Sequence, residues 1–482
     1  MPDRDRAPRR PPSGRRGALD LRTKLFYGLG SVAFGVKDNG FGFFLLLYYN
    51  QVLGLPEERV GFAIMVALIA DGMIDPFIGY VSDHLHSRWG RRHPFMYASA
   101  LPVAGAYYFL WHPPAGLSPN ALFAYLLGVA VLVRALIACY EIPSSSLVAE
   151  LTDQYDERTS ILSYRFFFGW WGGLAMAVLA YGVFLRSDAA HPTGVLNPEG
   201  YHHYGLAAAV IMATAILISA RGTHRFIPYL RKPPATRHAH GTIGELRQTL
   251  ANRAFLALFA AAVFSSMAVG ITAALGIYFN TYFWELSSAQ IAVIVMLNFV
   301  SAALALAISP ALSRRFDKKS AAIGVSLLAI VIGPLPVTLR LLGFFPPNGS
   351  PALLPLLAVW NTSFVTLFIV SSILVTSMLA DVVEDNELTT GRRSEGVFFA
   401  ANAFIQKAVS GIGIFASSLL LNAIDFPRGA QPGAVDPAVV RNLGLVYTPL
   451  LVVLFLMSVA FVASFRIGRD THEANLRRLA GD

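Results

Sequence analysis

The chain has 482 residues, of which 55% are hydrophobic and only 14% charged, and its mean hydropathy is +0.54. That apolar excess excludes a soluble multidomain protein and fits a polytopic membrane protein. The formal charge of +9 does not indicate a nucleic-acid binder, because the charges lie in short connectors between apolar spans. The single cysteine, Cys139, excludes an intrachain disulfide or a cysteine metal cluster.

In chain order, Met1 to Arg22 is rich in Arg and Pro, has no short apolar core with a cleavage site, and reads as a disordered basic tail. Twelve spans follow, predicted near 24–50, 57–81, 94–111, 120–141, 160–185, 204–222, 252–282, 289–312, 320–341, 352–379, 397–423 and 444–466. An even number places both termini on one side. If that side is cytoplasmic, its connectors and tails hold about 26 Lys and Arg against about 3 opposite, in keeping with the positive-inside rule. The longest internal connector, Arg221 to Arg253, falls between spans six and seven. The expected organisation is a tail (1–23), an N-terminal six-helix bundle (24–222), a cytoplasmic central loop (223–251), a C-terminal six-helix bundle (252–466) and a second tail (467–482). A short basic loop follows span two (Arg88, Arg91, Arg92) and another follows span eight (Arg314 to Lys319), a faint echo between the halves. The fold class expected is all-α, twelve transmembrane helices in two six-helix halves.

Asp71 and Asp75 lie within span two. Four residues apart, they share a helix face about 6 Å apart along the axis. Acids in hydrocarbon are costly and mark ion or proton paths, and two on one face can share a cation or a proton. Span one carries Lys37-Asp38, whose side chains leave the helix about 100° apart and are expected to seek partners on other helices. Span four carries Arg134 and, nearly two turns on, Glu141; span five opens with Arg165; span eleven contains Lys407. A central cavity would gather them into a charge-compensated network; the alternative is a set of structural interhelical pairs. Asp83, followed by Arg91-Arg92, suggests a latch at a helix end, and the acidic stretch Asp381, Glu384, Asp385 in the other half is its expected partner. His84, His86, His191, His202 and His203 fall in connectors without metal-ligand spacing. Trp170-Trp171 read as packing or lipid contacts. The sequence has no Walker A loop, Gly-x-Ser-x-Gly or His-Glu-x-x-His, so neither ATP-driven pumping nor hydrolysis has visible machinery.

Three motifs carry a family resemblance: Asp71-x-x-x-Asp75-Pro76-x-x-Gly79; Ser87-Arg88-Trp89-Gly90-Arg91-Arg92-x-Pro94; and Ala380-Asp381-Val382-Val383-Glu384-Asp385 with Thr390-Gly391-Arg392-Arg393-x-Glu395-Gly396. Together they resemble the glycoside–pentoside–hexuronide:cation symporters, the melibiose permease-like branch of the major facilitator superfamily. The resemblance implies cation-coupled uptake by alternating access. It assigns Asp71 and Asp75 to the coupling cation, H⁺ or Na⁺, and Lys37, Asp38, Glu141, Arg165 and Lys407 to the sugar site; Arg134 is an addition to the family pattern. Asp83, Arg91, Arg92, Asp381, Glu384 and Asp385 are expected in gating. The sequence departs from the pattern at Leu68, which replaces a cation, at Ile74 and Ala138, which lose neutral oxygen ligands of the kind Na⁺ needs, and at Ser145 and Ser372, which replace the sugar-stacking tryptophans. The expectation is an integral multi-pass inner-membrane symporter, not an enzyme, monomeric, with both termini cytoplasmic. It needs no cofactor beyond the coupling ion, no metal beyond Na⁺ at Asp71 and Asp75, and no nucleic-acid partner. Its substrate is a small molecule, a glycoside or uronide. The alternatives are an anionic or amphiphilic substrate such as a lysolipid, or a non-transporting sensor on the same fold.

Overall fold

The computed structural model describes residues 19–152, 155–187, 191–230, 253–390 and 395–465. Ten helical segments among these are long and apolar enough to cross a membrane by length and composition. The other two spans are the nineteen-residue helix His93–Trp111 and span one. Span one is segmented, with α-helices Leu21–Leu29 and Val32–Asn39, a π-helical turn Gly40–Phe44, the short helix Leu45–Leu47 and a second π turn Tyr48–Val52. Among the described residues, the molecule is therefore an all-helical, twelve-span bundle.

Several helices outrun the apolar stretches that mark them. Span four is one helix, Pro119–Leu151, and span ten runs Leu353–Thr390. In span four the sequence reading stops at Glu141, before Pro143, but a membrane helix packed among others tolerates a proline within it. Here the helix continues two more turns past Pro143 as far as Leu151, and the Ser144 hydroxyl donates to the Glu141 carbonyl at 3.0 Å. The end of the bundle where span one begins is called proximal below, and the opposite end distal.

Backbone details repeat between the halves. At the distal end of span one, Leu53 N donates to Tyr48 O at 3.0 Å and Leu55 N to Tyr49 O at 2.9 Å; at the end of span seven, Trp284 N donates to Phe279 O at 2.9 Å and Leu286 N to Asn280 O at 2.8 Å. Both wide turns pass through a left-handed residue at the same offset, Gly54 (φ 75°) and Glu285 (φ 49°). Spans five and eleven end alike, with Leu185 N on Ala180 O and Phe426 N on Leu421 O. Each half also brings two helices into backbone contact through glycine. A Cβ on Gly35 would lie 1.9 Å from the Gly169 carbonyl oxygen, joining spans one and five, and one on Gly413 would lie 2.3 Å from Met267 O, joining spans eleven and seven.

Candidate functional site: a chain of alternating charges

The side chains flagged at mid-membrane meet. Glu141 Oε2 lies 3.6 Å from Lys37 Nζ, which is 3.0 Å from Asp38 Oδ1. Asp38 Oδ1 is 3.0 Å from Arg134 Nη1, which lies 3.2 Å from Asp71 Oδ2. Lys407 Nζ approaches Asp71 Oδ2 to 3.2 Å and Asp75 Oδ2 to 2.6 Å. The seven groups form one unbranched chain of alternating sign, acid at both ends. Spans one, two and four of the N-terminal half supply six members, and span eleven of the C-terminal half supplies Lys407 alone. Four carboxylates thus face three cations, leaving one negative charge uncompensated if all are ionised. Asp71 and Lys37 are fully buried. Asp71 Oδ1 and Asp75 Oδ1 are buried without a hydrogen-bond partner in the structure.

Local structure explains how these groups reach one another. The π turn Gly40–Phe44 begins one residue beyond Asp38, after Asn39, and sets Phe41 beneath Arg134, whose guanidinium carbon lies 4.3 Å from the ring centre. π turns inside helices recur at functional sites because they redirect side chains locally. The expectation that Lys37 and Asp38 look away from each other needs correction. Their Cβ directions diverge, but the lysine's four-carbon stem swings Nζ back to the Asp38 carboxylate. Each also reaches a second partner on span four, Glu141 and Arg134 respectively.

Arg165 stands beside this chain. It donates to Ser144 Oγ at 3.0 Å, to the Tyr27 hydroxyl at 3.4 Å and to the Glu141 backbone carbonyl at 3.3 Å, and its guanidinium carbon lies 4.8 Å from the Phe34 ring centre. It touches no carboxylate among the described residues, so its charge does not cancel the excess acid by direct contact. Nearby, Trp171 meets Phe299 of span eight at 4.7 Å between centroids, an interhelical packing contact.

At the proximal end, Arg91 Nη2 lies 2.7 Å and Arg92 Nε 3.2 Å from Glu150 Oε1 on span four, and both arginines also pair with Asp83 at the end of span two. Among the described side chains, this cluster lies within the N-terminal half. Sequence reasoning missed buried Glu150, which looks like ordinary charge at a helix end. The side chains of Asp381, Glu384 and Asp385 lie outside the described residues.

The distal end is closed between the halves. The side-chain amide of Gln51 donates to the Pro427 carbonyl at 3.2 Å, and Ala430 N donates to Gln51 Oε1 at 3.1 Å, so one glutamine holds both sides of the turn between spans eleven and twelve. Tyr278 donates to Asn50 Oδ1 at 2.8 Å, and Arg428 pairs with buried Glu57 at 3.2 Å. Midway along, spans two and eleven pack closely, and a Cβ on Gly61 or Gly72 would strike Ser418 or Phe404.

A twelve-helix bundle in two repeated halves, joined across a charged midplane and sealed at one end, is a secondary transporter of the major facilitator type. The family described as MFS/sugar transport protein matches residues 26–469, and the chain belongs to it, within the melibiose permease-like glycoside–pentoside–hexuronide:cation symporters. Similar chains include the sphingosine-1-phosphate transporter MFSD2B of Mus musculus, 27% identical over 88% of this chain and 84% of that one. Another is the isoprimeverose transporter of Lactiplantibacillus pentosus, 26% identical over 83% and 80%. The fold is shared with the inward open conformation of the xylose transporter XylE from E. coli, at a TM-score of 0.63 and 14% identity, covering 94% of this chain and 98% of that one. The protein is an integral membrane symporter, not an enzyme.

Proposed function

We propose that this protein carries a glycoside or uronide across the membrane by alternating access, coupled to a cation bound at Asp71 and Asp75, and that the cation is a proton. The observation that carries the reading is the alternating charge chain with one carboxylate in excess. A proton on Asp71 or Asp75 would neutralise the chain and weaken the hold of Lys407, which is the ionic tie between the halves at mid-membrane. Cation binding and the relative position of the halves would then be linked through one ammonium group. Na⁺ is disfavoured because Lys407 already takes one oxygen of each acid, while Ile74 and Ala138 offer no neutral oxygen to complete a coordination shell. With the termini on the cytoplasmic side, as the basic connectors suggest, the sealed distal end faces outward and the structure corresponds to the inward-facing half of the cycle.

The test is uptake into proteoliposomes, with pH and Na⁺ gradients imposed separately. A pH gradient should drive accumulation, while Asp71→Asn and Asp75→Asn should abolish accumulation and spare counterflow exchange, which needs no net cation cycle. Undiminished accumulation in both variants would remove the assignment. A second reading, an amphiphilic substrate such as a lysolipid, is supported by the likeness to the sphingosine-1-phosphate transporter. Parallel uptake of a uronide and a lysolipid distinguishes the two.

A further inference from the structure

The C-terminal half is not packed solid. Within it lie two cavities joined by a third. The proximal one, about 310 Å³, is a vestibule whose walls include Ser265, Ser326, Ser371, Thr376, Asn402 and Gln406. The distal one, about 190 Å³, is a chamber walled by Phe279, Trp284, Trp360, Phe364 and Phe455, with Thr448 among them. A neck of about 50 Å³ shares Ser326 and Ser371 with the vestibule and Ala329, Ile330 and Phe364 with the chamber. From Ser265 to Asn280, span seven rises about 22 Å alongside them. For scale, an apolar cavity of about 150 Å³ accepts benzene.

Two further features point to a ligand. The Thr448 hydroxyl is buried and has no hydrogen-bond partner in the structure. Trp360 is held in place: Pro336 has no N–H to give the Ile332 carbonyl, and the Trp360 indole donates to Ile332 O at 3.0 Å and Gly333 O at 3.2 Å instead. None of the described side chains lining the three cavities is charged. The vestibule is the more polar end, although Phe255, Phe259 and Phe368 also line it, and the chamber is mainly apolar around Asn280, Asn361 and Thr448; that gradient suits a molecule with a neutral hydrogen-bonding head and an apolar tail. An ion or a fully polar sugar would leave the chamber unfilled.

We propose that the C-terminal half holds a second ligand site, separate from the charge chain, for a neutral single-chain amphiphile with a polyhydroxylated head, such as an alkyl glycoside. The head lies among the vestibule hydroxyls and the tail passes the neck into the aromatic chamber. This site stands independently of which cation or substrate the charge chain serves.

The probe is an alkyl maltoside brominated on its tail, titrated into the full-length protein in nanodiscs of unbrominated lipid while tryptophan emission is recorded. Saturable quenching is expected, removed in Trp284→Phe/Trp360→Phe and in Ala329→Phe, which blocks the neck. Ser326 Oγ and Ser371 Oγ lie 2.7 Å apart at the vestibule mouth of the neck. Replacing both by alanine should weaken the maltoside about fivefold, equivalent to about 1 kcal/mol, and leave a brominated fatty alcohol unaffected. Quenching that persists in both tryptophan and neck variants would overturn the proposal. So would equal quenching by brominated phosphatidylcholine alone, which would show exposure to bilayer lipid, or equal affinity for the fatty alcohol and the maltoside. Thermal unfolding of each variant identifies any that fail to fold. If Ala329→Phe is such a variant, the tryptophan pair and the serine pair decide the outcome.

Discussion

Arg134 is the residue on which the two halves of the charge chain depend. A single nitrogen, Nη1, serves both Asp38 and Asp71, and Phe41 covers the guanidinium face. Arg134→Gln leaves Asp71 buried with Lys407 as its described cation partner, and removing one member of a buried ionic set typically costs about 3–5 kcal/mol. The variant should therefore unfold at a clearly lower temperature in detergent, as followed by circular dichroism. Arg134→Lys keeps the charge but replaces a planar fork with a single flexible point charge. Because the guanidinium is committed to two protein carboxylates, this change should reduce uptake of a glucuronide and its neutral glucoside alike. A selective loss of the glucuronide would instead assign Arg134 to the substrate. Every member of the chain was legible in the sequence as a charge out of place in hydrocarbon. The pairing was not, because Asp38, Asp71 and Arg134 come from three spans and meet only through the segmented path of span one. Glu150 was illegible for the opposite reason. It lies at the end of a helix, where a carboxylate is ordinary, and only the fold reveals Arg91 and Arg92 upon it.

At the scale of the element, span one departs most from the pattern expected of it. Hydropathy marks a single rod near 24–50, whereas the structure has two π turns within the helical run. Composition does not register a backbone that widens by one residue. The first π turn brings Phe41 under Arg134, and the second carries Asn50 and Gln51 to the distal seal. The repeat between the halves was legible only as two basic loops, yet its clearest trace is this wide turn and its counterpart ending span seven. Hydrogen bonds, not side chains, carry that likeness. Gln51 gives the turn a purpose. Its amide donates to Pro427 O and accepts from Ala430 N, which no shorter or apolar side chain can reproduce. Gln51→Ala should weaken the distal seal by roughly 1–3 kcal/mol, the range for two neutral hydrogen bonds. Labelling of a cysteine introduced on the sealed face should accordingly rise by about an order of magnitude or more, with unchanged labelling ruling out a part in closure.

For the whole molecule, the structure holds one member of a conformational pair. On the alternating-access cycle proposed above, transport requires the distal seal to open, and spans one and seven must then separate there. Gly42 and Ala273 provide a gauge of that movement. A Cβ placed on Gly42 would stand 3.7 Å from the Ala273 Cβ, close to the mean separation of about 3.8 Å across a disulfide. In a background with Cys139 replaced by serine, Gly42→Cys/Ala273→Cys should therefore cross-link on mild oxidation without displacing either helix. The bond would fix spans one and seven together and hold the distal end shut. Counterflow and gradient-driven accumulation should both cease when the pair is oxidised and return on reduction with dithiothreitol, while each single variant transports in either condition. That reversibility separates locking from damage, because a misfolded double variant would stay inactive after reduction. If the oxidised pair continued to transport at the reduced rate, spans one and seven would not need to part during the cycle, and the alternating-access assignment of the distal seal would fail with it.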